Sequence, residues 1–382
     1  MRKLAPRSST CHCPTVRSHR VSERPYRVIQ WATGSVGKAA LKHFLRSPAF
    51  DVVGVLVYDP KKIGKDAGDI VGTPATGVPA TDDVGAILAM EADCVFYTPV
   101  WPDTEIVCRL LRSGKNVVTT AGIYHPNETN RLEVAQIEQA CKEGGTSYHA
   151  GGIHPGFAGD LLPLVTSRLV SRVDQVQVFE VVNFSDYPSK YIEWIGLGTD
   201  PAVFHSRPNL LEAAVPHFAQ SMAMIAAGLG TVIDNVTSEL DIAVATTDIP
   251  YAGTADSDVP DLKGVVGAGT VAAQHHTWTG WSGSVPLVQF NALYTMGDGL
   301  LDPDWQWGTN RYRVVIKGDP STEITLQGAP DHNGDVAHPG YAWTAMSAVN
   351  AIPAVCESEP GLKTHLDLGA IPVLGLIGHE LE

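Results

Sequence analysis

The stretch from Tyr26 to Asp59, YRVIQWATGSVGKAALKHFLRSPAFDVVGVLVYD, limits the fold more than any other part of the chain. Arg27 to Trp31 is a short apolar-rich run that fits a buried strand. Ala32-Thr33-Gly34-Ser35-Val36-Gly37 is a tight turn. Lys38 to Ser47 places Ala40, Leu41, Phe44 and Leu45 at helical spacing, and Pro48 stops it. Asp51 to Val57 is a second, β-branched strand. A strand–turn–helix–strand unit sets a helix N-terminus at the end of a strand. Its unpaired amide hydrogens and the helix dipole make an anion site suited to a pyrophosphate.

The turn departs from the usual G-x-G-x-x-G in one place, because Ala32 stands first while Gly34 and Gly37 hold the second and third positions. The second glycine lets a phosphate approach the backbone and the third lets helix and strand pack closely. Thr33, Gly34, Ser35, Val36 and Gly37 are therefore candidate cofactor-binding residues.

Further along, strands alternate with helices. Strands are expected at Asp93–Thr98, Asn116–Thr120 and Thr146–Ala150, with helices near 82–90, 103–113 and 127–142. That alternation implies a parallel sheet covered on both faces. In such sheets ligands sit beyond the carboxyl ends of the strands. The loops at 32–37, 58–65, 98–103, 120–126 and 151–157 should converge on one crevice, which adds Tyr58, Asp59, Lys62, Thr98, Pro99, Thr120 and Ala121 to the cofactor candidates. From Gly151 the pattern changes. After helices near 160–170 and 208–230, strands are expected at Val173–Asn183, Thr237–Val244, Gly264–Thr279, Val285–Tyr294, Arg311–Lys317 and Ser321–Leu326. Consecutive strands imply a second α+β domain on an antiparallel or mixed sheet. The expected fold class is α/β: a Rossmann-type dinucleotide-binding domain at 25–150, completed by 340–382 through an apolar helix at 339–355, and a substrate and dimerisation domain at 151–339.

With 382 residues, 44% of them hydrophobic and 18% charged, the chain has the composition of a globular enzyme. The net charge of −14 argues against non-specific nucleic-acid binding. No apolar run is long enough to cross a membrane. Residues 1–24 carry Arg2, Lys3, Arg7, Arg17, Arg20 and Arg24 against Glu23 alone, and read as a disordered basic tail without the apolar core of a secretion signal. Cys11, Cys13, Cys94, Cys108, Cys141 and Cys356 form no disulfide framework, so a reducing, cytoplasmic setting is expected.

Four pieces, ATGSVGKA, KDAGDIVG at 65–72, NVVTT at 116–120 and GGIHPGFAGDLLP at 151–163, resemble the dihydrodipicolinate reductase-like oxidoreductases, the group that includes 2,4-diaminopentanoate dehydrogenase and native amine dehydrogenases. The resemblance covers most of 26–195. It implies a nicotinamide cofactor, a C-terminal sheet domain used in dimerisation, and hydride transfer at a C=N or C–N centre. The chain also departs from the group. Val181 and Val182 stand where the reductases carry paired histidines, and valine cannot donate a proton. Ala121-Gly122-Ile123 stands where the diaminopentanoate dehydrogenases carry acidic residues.

Hydride transfer needs a proton donor within hydrogen-bond reach of the reacting heteroatom. His154, in a Gly/Pro-rich loop at an expected strand end, is the first candidate because histidine titrates near neutral pH; the alternative is that it only lines the nicotinamide pocket. Tyr124, His125, Asp186 and Glu180 are further candidates, a structural role being favoured for Glu180 because it lies on an alternating strand, and Asp160 reads as a helix cap. His275 and His276 are adjacent in a strand and point to opposite faces, so no metal site is expected. Asp59 could bond the ribose hydroxyls of NAD, whereas Lys61, Lys62 and Lys65 could hold the 2′-phosphate of NADP, which is preferred here. The expected function is an NAD(P)-dependent oxidoreductase acting on a small amine/imine or carbonyl compound, working as a homodimer with no nucleic-acid or membrane partner. A non-catalytic nucleotide-binding sensor or scaffold is the alternative.

Overall fold

A computed structural model of the chain describes residues 24–185, 189, 191–206, 214–253, 261–308, 310–330, 339–369 and 371–373. The elements run β1 (Tyr26–Trp31), α1 (Ser35–Phe44), β2 (Phe50–Leu56), α2 (Ala67–Val71), β3 (Ala80–Thr81), α3 (Val84–Ala89), β4 (Cys94–Tyr97), α4 (Thr104–Arg112), β5 (Asn116–Thr119), α5 (Arg131–Gly144) and β6 (Ser147–Ala150). Next come α6 (Leu161–Ser167), β7 (Arg172–Asn183), a helix at Val215–Gly228, β8 (Asn235–Ala245), β9 (Ile249–Ala252), β10 (Lys263–Val266), β11 (Val271–Ser282), β12 (Val285–Thr295), β13 (Leu301–Asp302), β14 (Arg311–Asp319) and β15 (Thr322–Gln327). Helices Gly340–Val349 and Ile352–Cys356 and strand β16 (Gly361–Lys363) follow.

The first sheet has seven strands in the order β16-β6-β5-β4-β1-β2-β3, every neighbouring pair parallel. This is the expected Rossmann-type α/β architecture. Its strands are buried on both faces, which is why CVFY and SYHA show no alternation. Helix α1 buries Gly37, Ala40, Leu41 and Phe44, the face its spacing predicts. Helix Gly340–Val349 packs on α1, and Ile352–Cys356 packs over β5 and β6. Their Ala345, Ala348, Val349, Ile352 and Val355 share one apolar core with Val28, Leu41, Phe44 and Phe96.

The second sheet also has seven strands, in the order β13-β8-β11-β12-β7-β14-β15. It is mixed, with β12 and β7 parallel and every other pair antiparallel. Helix Val215–Gly228 lies on its inner face, where Phe218, Met222 and Ile225 meet Trp278, Val288 and Phe290.

Three expectations need correction. The single strand expected at 264–279 is two strands: β10 pairs only with β9 in a separate two-stranded ribbon, and β11 begins at Val271 after Gly269 adopts a φ of 77°. The helix expected at 339–355 is two, the second carrying Pro353 in its first turn. The parallel sheet has two strands beyond the expected five, namely β3, only two residues long, and β16, near the C-terminus.

Candidate active site

Ala32 sits at a φ of 70°, a left-handed conformation that explains why this position of the turn is usually glycine. Its carbonyl accepts from Gln30 Nε2 at 2.8 Å, and its amide donates to the Leu56 carbonyl at 2.9 Å. The two glycines that follow have different surroundings. A methyl group on Gly34 would meet nothing within 4 Å, so the backbone is open to a ligand. A methyl on Gly37 would lie 2.2 Å from the Ala32 carbonyl oxygen and 3.0 Å from Thr98 Oγ1, so the helix is pressed against the turn. No side chain caps α1 and no acid stands in its first turn, leaving the amide end uncovered for an anion. The turn thus fits a dinucleotide phosphate, with Gly34, Ser35, Val36 and Gly37 at the helix end.

The neighbouring loops close around this turn. Lys62 Nζ donates to the Thr33 carbonyl at 2.9 Å and to Thr33 Oγ1 at 3.1 Å. Tyr58 is 62% exposed, and its hydroxyl accepts from the Trp31 indole at 2.8 Å. The Asp59 carboxylate is occupied as a cap, accepting from the Lys61 amide at 3.0 Å. After β4, Thr98 donates to the Trp31 carbonyl at 2.9 Å and is bonded by Gln30, which ties the Thr98-Pro99 loop to the glycine turn.

At the ends of β5 and β6 the loops are held by helix Val215–Gly228. Gln220 Oε1 accepts the Tyr124 amide at 2.8 Å and the His125 amide at 3.3 Å. The Tyr124 hydroxyl donates to the Thr120 carbonyl at 2.6 Å, and burial raises its pKa far above the usual phenol range, so it braces its own loop. Ala121 donates its amide to Thr119 Oγ1 at 3.0 Å. Gly122, at a φ of 145°, leaves room for the Tyr148 hydroxyl, which a methyl would approach to 2.4 Å. Asp160 is fully buried and accepts from the amides of Gly156 and Leu161 and from Ser221 Oγ at 2.7 to 2.9 Å. It is therefore a cap, as its position before a helix predicts, and it fixes the His154 loop to the second sheet's helix. Behind this loop His149 Nδ1 donates to the Lys363 carbonyl at 2.8 Å, and burial drives its pKa down to about 3, keeping the ring neutral.

The His154 side chain is wholly buried, with Nδ1 3.1 Å from Glu180 Oε2. Tyr294 donates to the same carboxylate oxygen at 3.1 Å and Tyr312 to the other at 3.0 Å. Burial alone would raise the Glu180 pKa, but His154, Tyr312 and Tyr294 outweigh it and hold the group below the ordinary carboxylate range. An ionised carboxylate only accepts, so His154 Nδ1 carries the hydrogen. Nε2 is buried and has no hydrogen-bond partner. Phe218, Phe290 and Tyr312 surround the imidazole at centroid distances of 4.9, 5.1 and 6.1 Å. Gly159 makes room for it, since a methyl there would lie 2.2 Å from His154 Cδ2. Tyr191, 44% exposed and in electrostatic contact with Glu180, and Trp194, 52% exposed, stack edge to face nearby.

The fold thus brings together His154 and Glu180 of the sequence candidates. It also adds Tyr294 and Tyr312, on strands more than a hundred residues further along, where nothing local marks them. Asp186 lies outside the described residues. Among the described residues no group of three or more His, Cys, Asp or Glu is placed to hold a metal ion, and no helix is long and apolar enough to cross a membrane.

The signature of the 2,4-diaminopentanoate dehydrogenase C-terminal domain matches residues 157–378. An amine dehydrogenase of Streptomyces virginiae is 30% identical over 370 residues, spanning 92% of this chain and 98% of that protein. A 2,4-diaminopentanoate dehydrogenase of Acetoanaerobium sticklandii is 24% identical over 359 residues, 90% of this chain and 93% of its own length. The solved amine dehydrogenase of Mycobacterium smegmatis superimposes with a TM-score of 0.72 at 18% identity, covering 92% of this chain and 98% of that one. With a signature over more than half its length and a full-length relative of this similarity, the chain belongs to the 2,4-diaminopentanoate dehydrogenase family of NAD(P)-dependent oxidoreductases.

Proposed function

We propose that the protein transfers hydride between NADP and a small amine/imine or carbonyl compound, with the His154–Glu180 pair as its acid–base centre. The observation that carries this reading is the buried Glu180 carboxylate, kept ionised by three donors at the crevice end of β7. Its charge favours a cation nearby, such as a protonated amine. Glu180 accepts from Nδ1 and so orients the His154 ring, which leaves Nε2 as the atom at which a proton is held or released. Tyr294 and Tyr312 keep the carboxylate in place. The bound nicotinamide supplies the hydride chemistry. Neutral His149 and capped Asp160 position the His154 loop and take no part in proton transfer.

NADP is preferred to NAD because Asp59 is occupied by its own turn while Lys62 reaches the glycine turn and Lys61 and Lys65 are exposed beside it. Cytoplasmic action as a homodimer joined through the second sheet belongs to the same reading. Its support is an outward face carrying Phe179 under Arg313, with the guanidinium 4.2 Å from the ring centroid, and His275 beside Trp307. Light scattering should give twice the chain mass; a monomer at micromolar concentration would remove the dimer.

The test is to supply a panel of primary amines with NADP or NAD and follow formation of reduced cofactor. Turnover is expected, faster with NADP. His154→Asn should lower kcat by about 10²–10⁴-fold, the range for loss of a general acid–base. An unchanged rate would remove His154 from the chemistry.

A further inference from the structure

Cys94 and Cys356 lie 262 positions apart in the chain and meet at the base of the parallel sheet, at the opposite end of the strands from the crevice. Cys94 opens β4 and is fully buried. Cys356 ends helix Ile352–Cys356 and is half-buried; its Sγ lies 3.7 Å from the carbonyl oxygen of Asp93, the residue before Cys94. Cys94 Sγ lies 3.6 Å from the Val95 carbonyl oxygen, and Cys356 is among the neighbours whose hydrogen bonding and charge raise the Cys94 pKa, so the two thiols share this corner. Other contacts fix this corner. Tyr26 donates to Glu357 at 2.7 Å, and Asp93 receives both Arg24 guanidinium nitrogens at 2.7 and 2.8 Å. Neither cysteine has a role in the crevice, and Cys108 and Cys141 belong to a different cluster of the core.

We propose that Cys94 and Cys356 are a thiol–disulfide pair, oxidised together by a small organic disulfide to tie the C-terminal helix to the base of β4. Cys356, the more accessible sulfur, attacks the small disulfide as its thiolate, forming a mixed disulfide and releasing one small thiol. Cys94, as its thiolate, then attacks the Cys356 sulfur, closing the protein disulfide and releasing the second small thiol. The protein's two thiols give up two electrons and two protons, and the small disulfide becomes two thiols. Burial raises the Cys94 thiol well above its ordinary pKa, so Cys94 is the resolving thiol and the second step is the slow one. The link would close a loop covering most of the chain, a position at which a cross-link strongly restricts the unfolded state.

The test uses the full chain with Cys11→Ser and Cys13→Ser, so that the N-terminal pair cannot cross-link. This protein is incubated with oxidised glutathione, trapped by alkylation and mapped by non-reducing peptide mass analysis. The expected result is a peptide pair joined through Cys94 and Cys356, two hydrogens lighter than the reduced pair. Tm should rise by about 5 °C and be restored by dithiothreitol. Adding Cys356→Ser should abolish the joined peptides and the shift while leaving the reduced Tm within a degree or two. The proposal is overturned if Cys94 stays alkylatable while Cys356 carries only glutathione, or if both stay reduced. It is also overturned if the joined form melts no higher than the reduced one.

Discussion

Ala32 shows what a single residue can and cannot reveal. Read as sequence it is a defect in the glycine fingerprint. In the fold it is an alanine held at a φ of 70° by bonds to Gln30 and Leu56. An L-residue in that region costs about 1–2 kcal/mol, and glycine gives back part of that gain through its greater freedom in the unfolded chain. Ala32→Gly should therefore stabilise the protein by about 0.5–1 kcal/mol without weakening cofactor affinity, as read by urea denaturation and fluorescence titration. Gly37→Ala should do the reverse: its methyl would sit 2.2 Å from a backbone oxygen that cannot swing away, so cofactor affinity should fall at least tenfold with a loss of several °C in Tm. His154 was legible as a candidate from its loop. Its partner Glu180 looked structural because it lies on an alternating strand, and alternation indicates which face a side chain takes, not what meets it there. Tyr294 and Tyr312 reach Glu180 only because β7 lies between β12 and β14 in the sheet.

At the scale of elements, the parallel sheet was the most legible part, because buried strands and amphipathic helices alternate with clear stops. Strand β16 was not, since three residues near the C-terminus carry no periodicity and gain their place only by pairing with β6. Helix Val215–Gly228 was expected as a helix, but its part in the site was not. That part rests on Gln220 and Ser221, two polar residues on an apolar helix that hold the loops after β5 and β6. Gln220→Ala leaves the buried Tyr124 amide without its acceptor, which should cost about 1–3 kcal/mol in urea unfolding. If the clamp also shapes the crevice, KM should rise more than kcat falls. An unchanged unfolding midpoint would mean that the loop holds itself.

Across the whole molecule, two buried histidines and the Glu180 carboxylate make stability fall on acidification. His149 is neutral when folded, with its pKa moved from 6.5 to about 3 by burial, so below 6.5 the unfolded chain takes up a proton the folded chain refuses. Stability is lost as pH falls from 6.5 towards 3. His276, moved to about 4 by burial, acts in the same sense. Glu180, held below 4.5, contributes stability that is present above that value and lost as pH falls through its folded pKa. Tm should therefore decline steadily on acidification below pH 6.5, and His149→Gln should flatten the decline. A flat profile from neutrality to pH 4 would contradict the buried neutral histidine.

The central claim is that a nicotinamide dinucleotide held at the glycine turn works with His154, in the loop after β6, and Glu180, on the second sheet. The most direct measurement is oxidation of primary amines with NADP by the native protein and by Glu180→Gln, with NADPH affinity measured alongside. The prediction is turnover by the native protein, a loss of about 10²-fold or more in kcat for Glu180→Gln, and NADPH binding within twofold of native. Glu180→Gln turning over at the native rate, or no amine oxidised by the native protein while NADPH binds normally, would contradict it.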